Sequence, residues 1–235
     1  MTDRGSEASN RQTGRRSRAE ARSEILDAAE RFLWERPVRE LTVGALMEHT
    51  TIGRSAFYVY FRDRYHLIAG LLERLEAELL DAARPWLGGS RHADPLGDVR
   101  SALDGTVAVW VAHGPVLRAI AEAAGQDTEL EAAYRWGLLE RFIDLVSQRI
   151  EEGQTLGRIR PLDARATATA LIFMNERYLV DQMGRAPQAD PDKVAETLSR
   201  IWSAALYGSH REGSKPRPRG RAEPTLRKPL ADGNS

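Results

Sequence analysis

Two short stretches carry side chains whose types and spacing suit recognition chemistry: "RSAFYVYFRDR" at 54–64 and "LIFMNERYLV" at 171–180. In the first, Phe57 and Phe61 stand four apart and fill a small core from one face of a helix. Arg54, Ser55, Tyr58 and Tyr60 are then assigned to the other side, with Arg64 just beyond. A phenol donates a hydrogen bond to a phosphate oxygen while its ring packs on a sugar. A guanidinium grips phosphate or pairs with guanine O6 and N7. Core packing accounts for the two phenylalanines; two tyrosines flanked by arginines fit a nucleic-acid face better. In the second stretch Asn175 recurs at helical spacing with Leu171, Ile172 and Leu179, so its amide points where its apolar neighbours point. A buried amide without a partner costs ~1–3 kcal/mol, so either a neighbouring group or a ligand must bond to it.

Other chemistries lack their residues. There is no cysteine, which excludes disulfides, thiolate metal sites and thiol nucleophiles. The histidines at 49, 66, 92, 113 and 210 form no His-Glu-x-x-His, and no paired Glu-x-x-His sequences occur. Neither a Gly-x-Ser-x-Gly elbow nor a glycine-rich phosphate loop is present. The expectation is therefore no enzyme, no metal and no cofactor. A helical protein-interaction adaptor remains the alternative, with "AFYVYF" and the basic tail as its partner contacts.

The elements that must position these residues are all helical by pattern, about nine in number. The first helix starts at Arg18, with Ile25, Leu26, Ala29, Phe32 and Leu33 on one stripe, and Pro37 stops it. A second opens at Thr42 as N-cap, and "RSAFYVYF" forms a third of two turns. A fourth runs from about 63 to 86 and ends at "GGS". Residues 95–113 make a fifth, broken at Gly114-Pro115, and a short helix covers about 115–124. A long helix spans about 127–152. Pro161 and Asp163 open the helix that holds Asn175, and Asp190-Pro191 open the last.

The expected organisation is a flexible basic arm at 1–17, a helix-turn-helix domain at 18–64, a helical bundle at 65–207 and a disordered basic tail at 208–235. Lys and Arg outnumber Asp and Glu by 12 to 10 over 1–64 and by 7 to 3 over 208–235. Over 65–207 they are outnumbered by 15 to 21. A positive head and tail around a negative body suggest that the ends meet a polyanion, although solubilising tails have the same composition. The first residues carry no apolar leader and no stretch approaches ~20 apolar residues, so a cytoplasmic chain with no membrane contact is expected.

"LTVGALMEHTTIGRSAFYVYFRDRYHLIAGLL" resembles the N-terminal signature of TetR-type transcriptional repressors. The resemblance implies an all-α fold, a three-helix DNA-binding domain joined to a bundle for ligand binding and dimerisation. It implies a homodimer on a pseudo-palindromic double-stranded operator, released by a small apolar effector. It further implies that Tyr58 and Tyr60 contact DNA, that Thr42 touches a phosphate, and that Arg64 replaces the family's phosphate-binding lysine. Thr51 stands where the family has its turn glycine, Gly53 where it has a serine N-cap, and Ala56 where it has a hydroxyl. A threonine held at positive φ would be strained. "LIFMNERYLV" and "IWSAALYG" resemble the EthR-like branch, where the asparagine and tryptophan line a long apolar channel; here these are Asn175 and Trp202. Trp110 and Phe142 fall near aromatic channel positions. Ile172 replaces a second polar residue one turn before Asn175.

Overall fold

Side-chain caps and apolar stripes decide where each helix starts and which face it buries. The computed structural model describes residues 4–88 and 94–208, with side chains from Arg18 onward. Among them the elements are α1 (Arg4–Glu35), a 3-10 turn (Val38–Glu40), α2 (Val43–Met47), α3 (Arg54–Tyr60), α4 (Arg64–Leu87), α5 (Pro95–Ala124), α6 (Thr128–Glu131), α7 (Glu140–Thr155), α8 (Ala164–Met183) and α9 (Pro191–Tyr207). A π-helical stretch, Ala132–Leu139, joins α6 to α7. The described residues are thus all-α, as the pattern predicts.

Six side chains among the described residues cap helix starts by accepting free backbone N–H groups. Thr42 accepts from Ala45, Asp63 from His66, Asp94 from Gly97, Asp127 from Leu130, Asp163 from Ala166 and Asp190 from Asp192. Each such cap contributes ~1 kcal/mol. The N-terminal unit packs Ile25, Leu26, Phe32, Leu46, Phe57 and Phe61 into one core. The turn between α2 and α3 tolerates Thr51 because Glu24 reaches across from α1. Its Oε1 accepts from both the backbone N–H and the hydroxyl of Thr51, at 2.6 and 2.7 Å. Those two bonds hold the Glu24 carboxyl below its ordinary value. Among the described glycines positive φ is found at Gly157 and Gly208, whereas Gly53, at the end of this turn, has φ −67°.

Helix α5 is the centre of the C-terminal unit, packed on α4, α8 and α9 and touching α1. It does not break at Gly114-Pro115, contrary to the sequence expectation. Proline removes the N–H that would bond to the Val111 carbonyl. Gln188, from the loop before α9, places its Nε2 3.1 Å from the Trp110 oxygen and 3.4 Å from that of Val111. The same nitrogen lies 2.8 Å from the Met183 oxygen. One amide thus helps satisfy the carbonyls at the proline site and pins the end of α8. By length and apolarity alone α5 qualifies as a membrane-crossing helix, which corrects the reading that no stretch comes close. Much of its surface is buried by its neighbours, as the central helix of a bundle requires.

Two other expectations change. Helix α1 begins at Arg4 rather than Arg18: the intervening segment contains no proline, and helical backbone bonds need no apolar stripe. Residues 1–3 and 209–235, and with them nearly all of the expected basic tail, lie outside the described residues. The long helix expected over 127–152 is interrupted by the π stretch, which turns Tyr134, Leu138 and Leu139 into the interior.

Gly114 is where α5 meets the end of α8, since a Cβ there would sit 2.1 Å from the Met183 carbonyl oxygen. Gly114→Ala should gain ~1 kcal/mol of helix propensity yet lose stability overall, by ~1–3 kcal/mol, through displaced backbone. Gly137→Ala, whose Cβ meets nothing closer than 4.0 Å, is the control. Urea unfolding of the two variants measures the difference.

Candidate functional site

The α3 face is built by the two phenylalanines. Phe57 and Phe61 are fully buried with ring centroids 5.6 Å apart, and they turn the opposite side of α3 outward. Arg54 and Ser55 are exposed there, Tyr58 is 55% exposed and Val59 69%. Arg54 makes no hydrogen bond or ion pair with any described residue. Thr42 is exposed nearby, its hydroxyl oxygen occupied as the α2 cap.

Tyr60 does not stand on this face with Tyr58. Two residues are separated by ~200° on an α-helix, so Tyr60 leans on the core and is only half-exposed. Arg64, also half-buried, lies over the Tyr65 ring at 4.7 Å and donates to its hydroxyl at 2.7 Å. Val59 was passed over in the sequence reading, although its place beside Tyr58 on an outward face was legible from the helical period.

Just behind the face, the two units are joined by polar contacts. Arg62 donates to Glu129 of α6 at 2.8 Å and to Asp63 at 3.1 Å, and these carboxylates raise its pKa further. Tyr65 reaches Gln126 at 3.5 Å. Between α1, α4 and α5, His113 has Glu30 on Nδ1 at 2.5 Å and Glu78 on Nε2 at 3.3 Å, while Arg74 pairs with Asp27 at 2.6 Å.

The four ligand-site residues expected from the sequence come together. Trp110, Phe142, Asn175 and Trp202 all line one cavity that opens to solvent, about 870 Å³ with the solvent at its mouth included. Helices α4, α5, α7, α8 and α9 and the π stretch contribute its walls, which are almost entirely apolar. Ile172 is part of the wall, as its position before Asn175 implies. Asn175 is 9% exposed, and its Oδ1 accepts from the Trp202 indole N–H at 2.9 Å. A neighbouring side chain takes the carbonyl end, and no described group bonds to the amide nitrogen. Trp202 packs edge-on to Trp86 at 5.5 Å, and Trp86 donates to the Tyr207 hydroxyl at 3.0 Å. Buried Arg149 donates to the Trp86 carbonyl at 3.1 Å, satisfying the end of α4.

Three further polar residues line the wall: Thr106, which shares the helical stripe of Trp110, and Tyr134 and Glu176, which had no sequence signal. Glu176 lines the cavity and accepts from the Tyr134 hydroxyl at 2.9 Å. The contact joins residues 42 apart through the π stretch, which no periodicity reveals. Burial, and then the adjacent Glu176, push the Tyr134 phenol well up, so it stays protonated and remains a donor. Arg177 faces away and pairs with Asp181 at 3.2 Å, as their i, i+4 spacing predicts.

Two family models match this chain. Residues 25–71 match that of the bacterial regulatory proteins of the tetR family, and residues 99–208 that of the C-terminal domain of the transcriptional regulator EthR. The chain belongs to the TetR family. The HTH-type transcriptional regulator EthR of Mycobacterium tuberculosis is 29% identical over 204 residues, which are 86% of this chain and 94% of that protein. Its counterpart from Mycolicibacterium smegmatis is 28% identical, with 85% and 92% covered. Among solved structures, the fatty acid degradation regulator FadR from Bacillus halodurans superposes with a TM-score of 0.66 at 16% identity, covering 81% of this chain and 96% of that one. NalD, the secondary repressor of the MexAB-OprM multidrug efflux pump in Pseudomonas aeruginosa, does so at 0.63 and 20%, covering 82% and 99%. These two likenesses establish the TetR fold, an N-terminal helix-turn-helix unit on a C-terminal helical domain. The protein is a ligand-responsive transcriptional regulator, and the adaptor alternative finds no support among its relatives.

Proposed function

We propose that this TetR-family protein represses transcription as a homodimer on a pseudo-palindromic duplex, and that an apolar small molecule in the cavity releases it. Arg54, Ser55, Tyr58 and Val59 enter the major groove. Arg54 supplies a guanidinium for phosphate or guanine, Tyr58 a phenol for phosphate, and Val59 an apolar surface for a thymine methyl. Thr42, Tyr60 and Arg64 flank them at the backbone. Two such modules occupy half-sites one helical turn apart, about 34–36 Å. The dimer forms through α8 and α9, whose outer faces leave Phe173 and Ile201 exposed.

The observation that carries this reading is the course of α4. Its first residue, Arg64, stands beside the α3 face, and Leu79, Ala83, Trp86 and Leu87 near its other end line the cavity. Arg64 and Leu79 are ~22 Å apart along one helix. A ligand that pushes on the C-terminal half of α4 moves its N-terminal half. Release requires the ligand to bind the splayed form more tightly, because equal affinity for both forms shifts nothing.

Arg54→Ala should weaken binding and lower the slope of log affinity against log salt by about one unit, if Arg54 holds a phosphate. Fluorescence anisotropy on a selected operator, repeated over a range of salt, gives the slope; an unchanged slope removes Arg54 from the phosphate contact. Asn175→Leu leaves the Trp202 N–H without its acceptor and should cost stability of ~1–3 kcal/mol. Operator affinity should hold, while the effector concentration needed for release should rise roughly threefold to tenfold through the lost hydrogen bond. A variant that responds as the unaltered protein does would dismiss Asn175 as a ligand contact.

A further inference from the structure

We propose that the effector is an elongated apolar molecule bearing a basic nitrogen, and that Glu176 receives that nitrogen as an ammonium; this rests on the reading of the cavity as the effector site. Glu176 is the one formally charged side chain in the cavity wall, which contains no lysine, arginine or histidine. Its carboxylate forms no ion pair with any described residue. Arg177, next in sequence, is held by Asp181 on the other side of α8. The hydrogen bond from Tyr134 occupies Oε1 and leaves the charge in place, because the phenol keeps its proton.

Glu176 is half-exposed, so water meets its charge while the cavity is empty. A ligand that covers it must bring an opposite charge or leave an unpaired anion buried, which is costly. The other walls favour the same guest, since Tyr134, Phe142, Trp110 and Trp202 present aromatic rings around the space. Ring faces attract cations, more so where water is excluded. A fatty carboxylate placed at this end would instead set two like charges together.

The remaining polar atoms specify the rest of the molecule. Trp202 occupies Asn175 Oδ1, so the Asn175 amide nitrogen is available to donate. Thr106 gives its proton to the Ala102 carbonyl at 2.8 Å, leaving its oxygen only to accept. Asn175 and Glu176 are consecutive on α8, so a donor and an anionic acceptor stand side by side on one wall. A matching ligand carries an acceptor such as a carbonyl near Asn175 and its ammonium near Glu176, with the apolar body between the aromatic rings.

The test is a calorimetric titration of the full chain, free of DNA, at neutral pH with three probes of equal length below their micelle concentrations. These are n-decylamine, n-decanol and n-decanoate. The amine should bind about tenfold more tightly than the alcohol, as a charge-assisted hydrogen bond outweighs a neutral one, and decanoate should bind most weakly. Glu176→Gln keeps an acceptor for Tyr134 and removes the charge. It should erase the amine's advantage and leave the alcohol's affinity within about threefold, which also separates this site from general attraction to an acidic surface. An amine no tighter than the alcohol, decanoate ranking first, or an advantage that survives Glu176→Gln each overturns the proposal while leaving the cavity reading intact. The ranking in the unaltered protein decides the matter even if the variant fails to fold. A cavity that takes none of the three overturns both readings.

Discussion

Helix α4 belongs to both halves of the molecule, and most of the account follows from that constraint. Asp63 caps its start beside the α3 face, and Arg149 holds its last carbonyls within the bundle. Between them Leu67, Leu71, Leu75 and Leu79 are buried, first against the N-terminal core and then against α5. Burying a leucine contributes ~1.5–3 kcal/mol, so this stripe keeps α4 a single packed body. The polar contacts near its first turns are of another kind. Arg62, just before α4, pairs with Glu129 of α6, and Glu73 of α4 pairs with Arg22 of α1; these largely exposed ion pairs are worth ~0–1 kcal/mol each. They yield more readily than the apolar packing of α4 on α5.

The cavity lies against the C-terminal half of α4. An apolar space within the bundle gives up dispersion contacts, and so a molecule that fills it restores them. Its few polar atoms are organised rather than scattered. Trp202 fixes the Asn175 amide, Trp86 fixes Trp202 through edge-to-face packing, and Tyr207 and Arg149 anchor Trp86. The Asn175 amide is thereby connected to the C-terminal turn of α4. Tyr134 and Glu176 connect a second wall to the π stretch, which follows directly from α6, where Glu129 holds Arg62. Both routes lead from the cavity to the base of the DNA-facing unit.

Much of this was legible in the sequence because helical period and caps are local. Phe57 and Phe61 at i and i+4 identified both the core and the outward face. Thr42, Asp163 and Asp190 marked helix starts that the structure keeps. The grouping of Trp110, Phe142, Asn175 and Trp202 in one cavity was expected from resemblance, not period. Tyr60 was misplaced although the local rule was in hand, since residues two apart cannot share a helix face. The continuity of α5 was hidden because its rescue comes from Gln188, far along the chain. Glu176 was hidden for the same reason, its partner Tyr134 being visible only once the π stretch has turned it inward.

The central claim is that filling the cavity moves the two α3 faces of a dimer relative to each other. Because the chain contains no cysteine, Glu48→Cys places a single spin label on the exposed end of α2 in each protomer. Pulsed dipolar spectroscopy of the dimer, free and saturated with a cavity ligand, reads the distance between the labels. The account predicts that the ligand changes this distance away from the value observed on operator DNA. An identical distance distribution in the presence of bound ligand, with the operator nonetheless released, would contradict it.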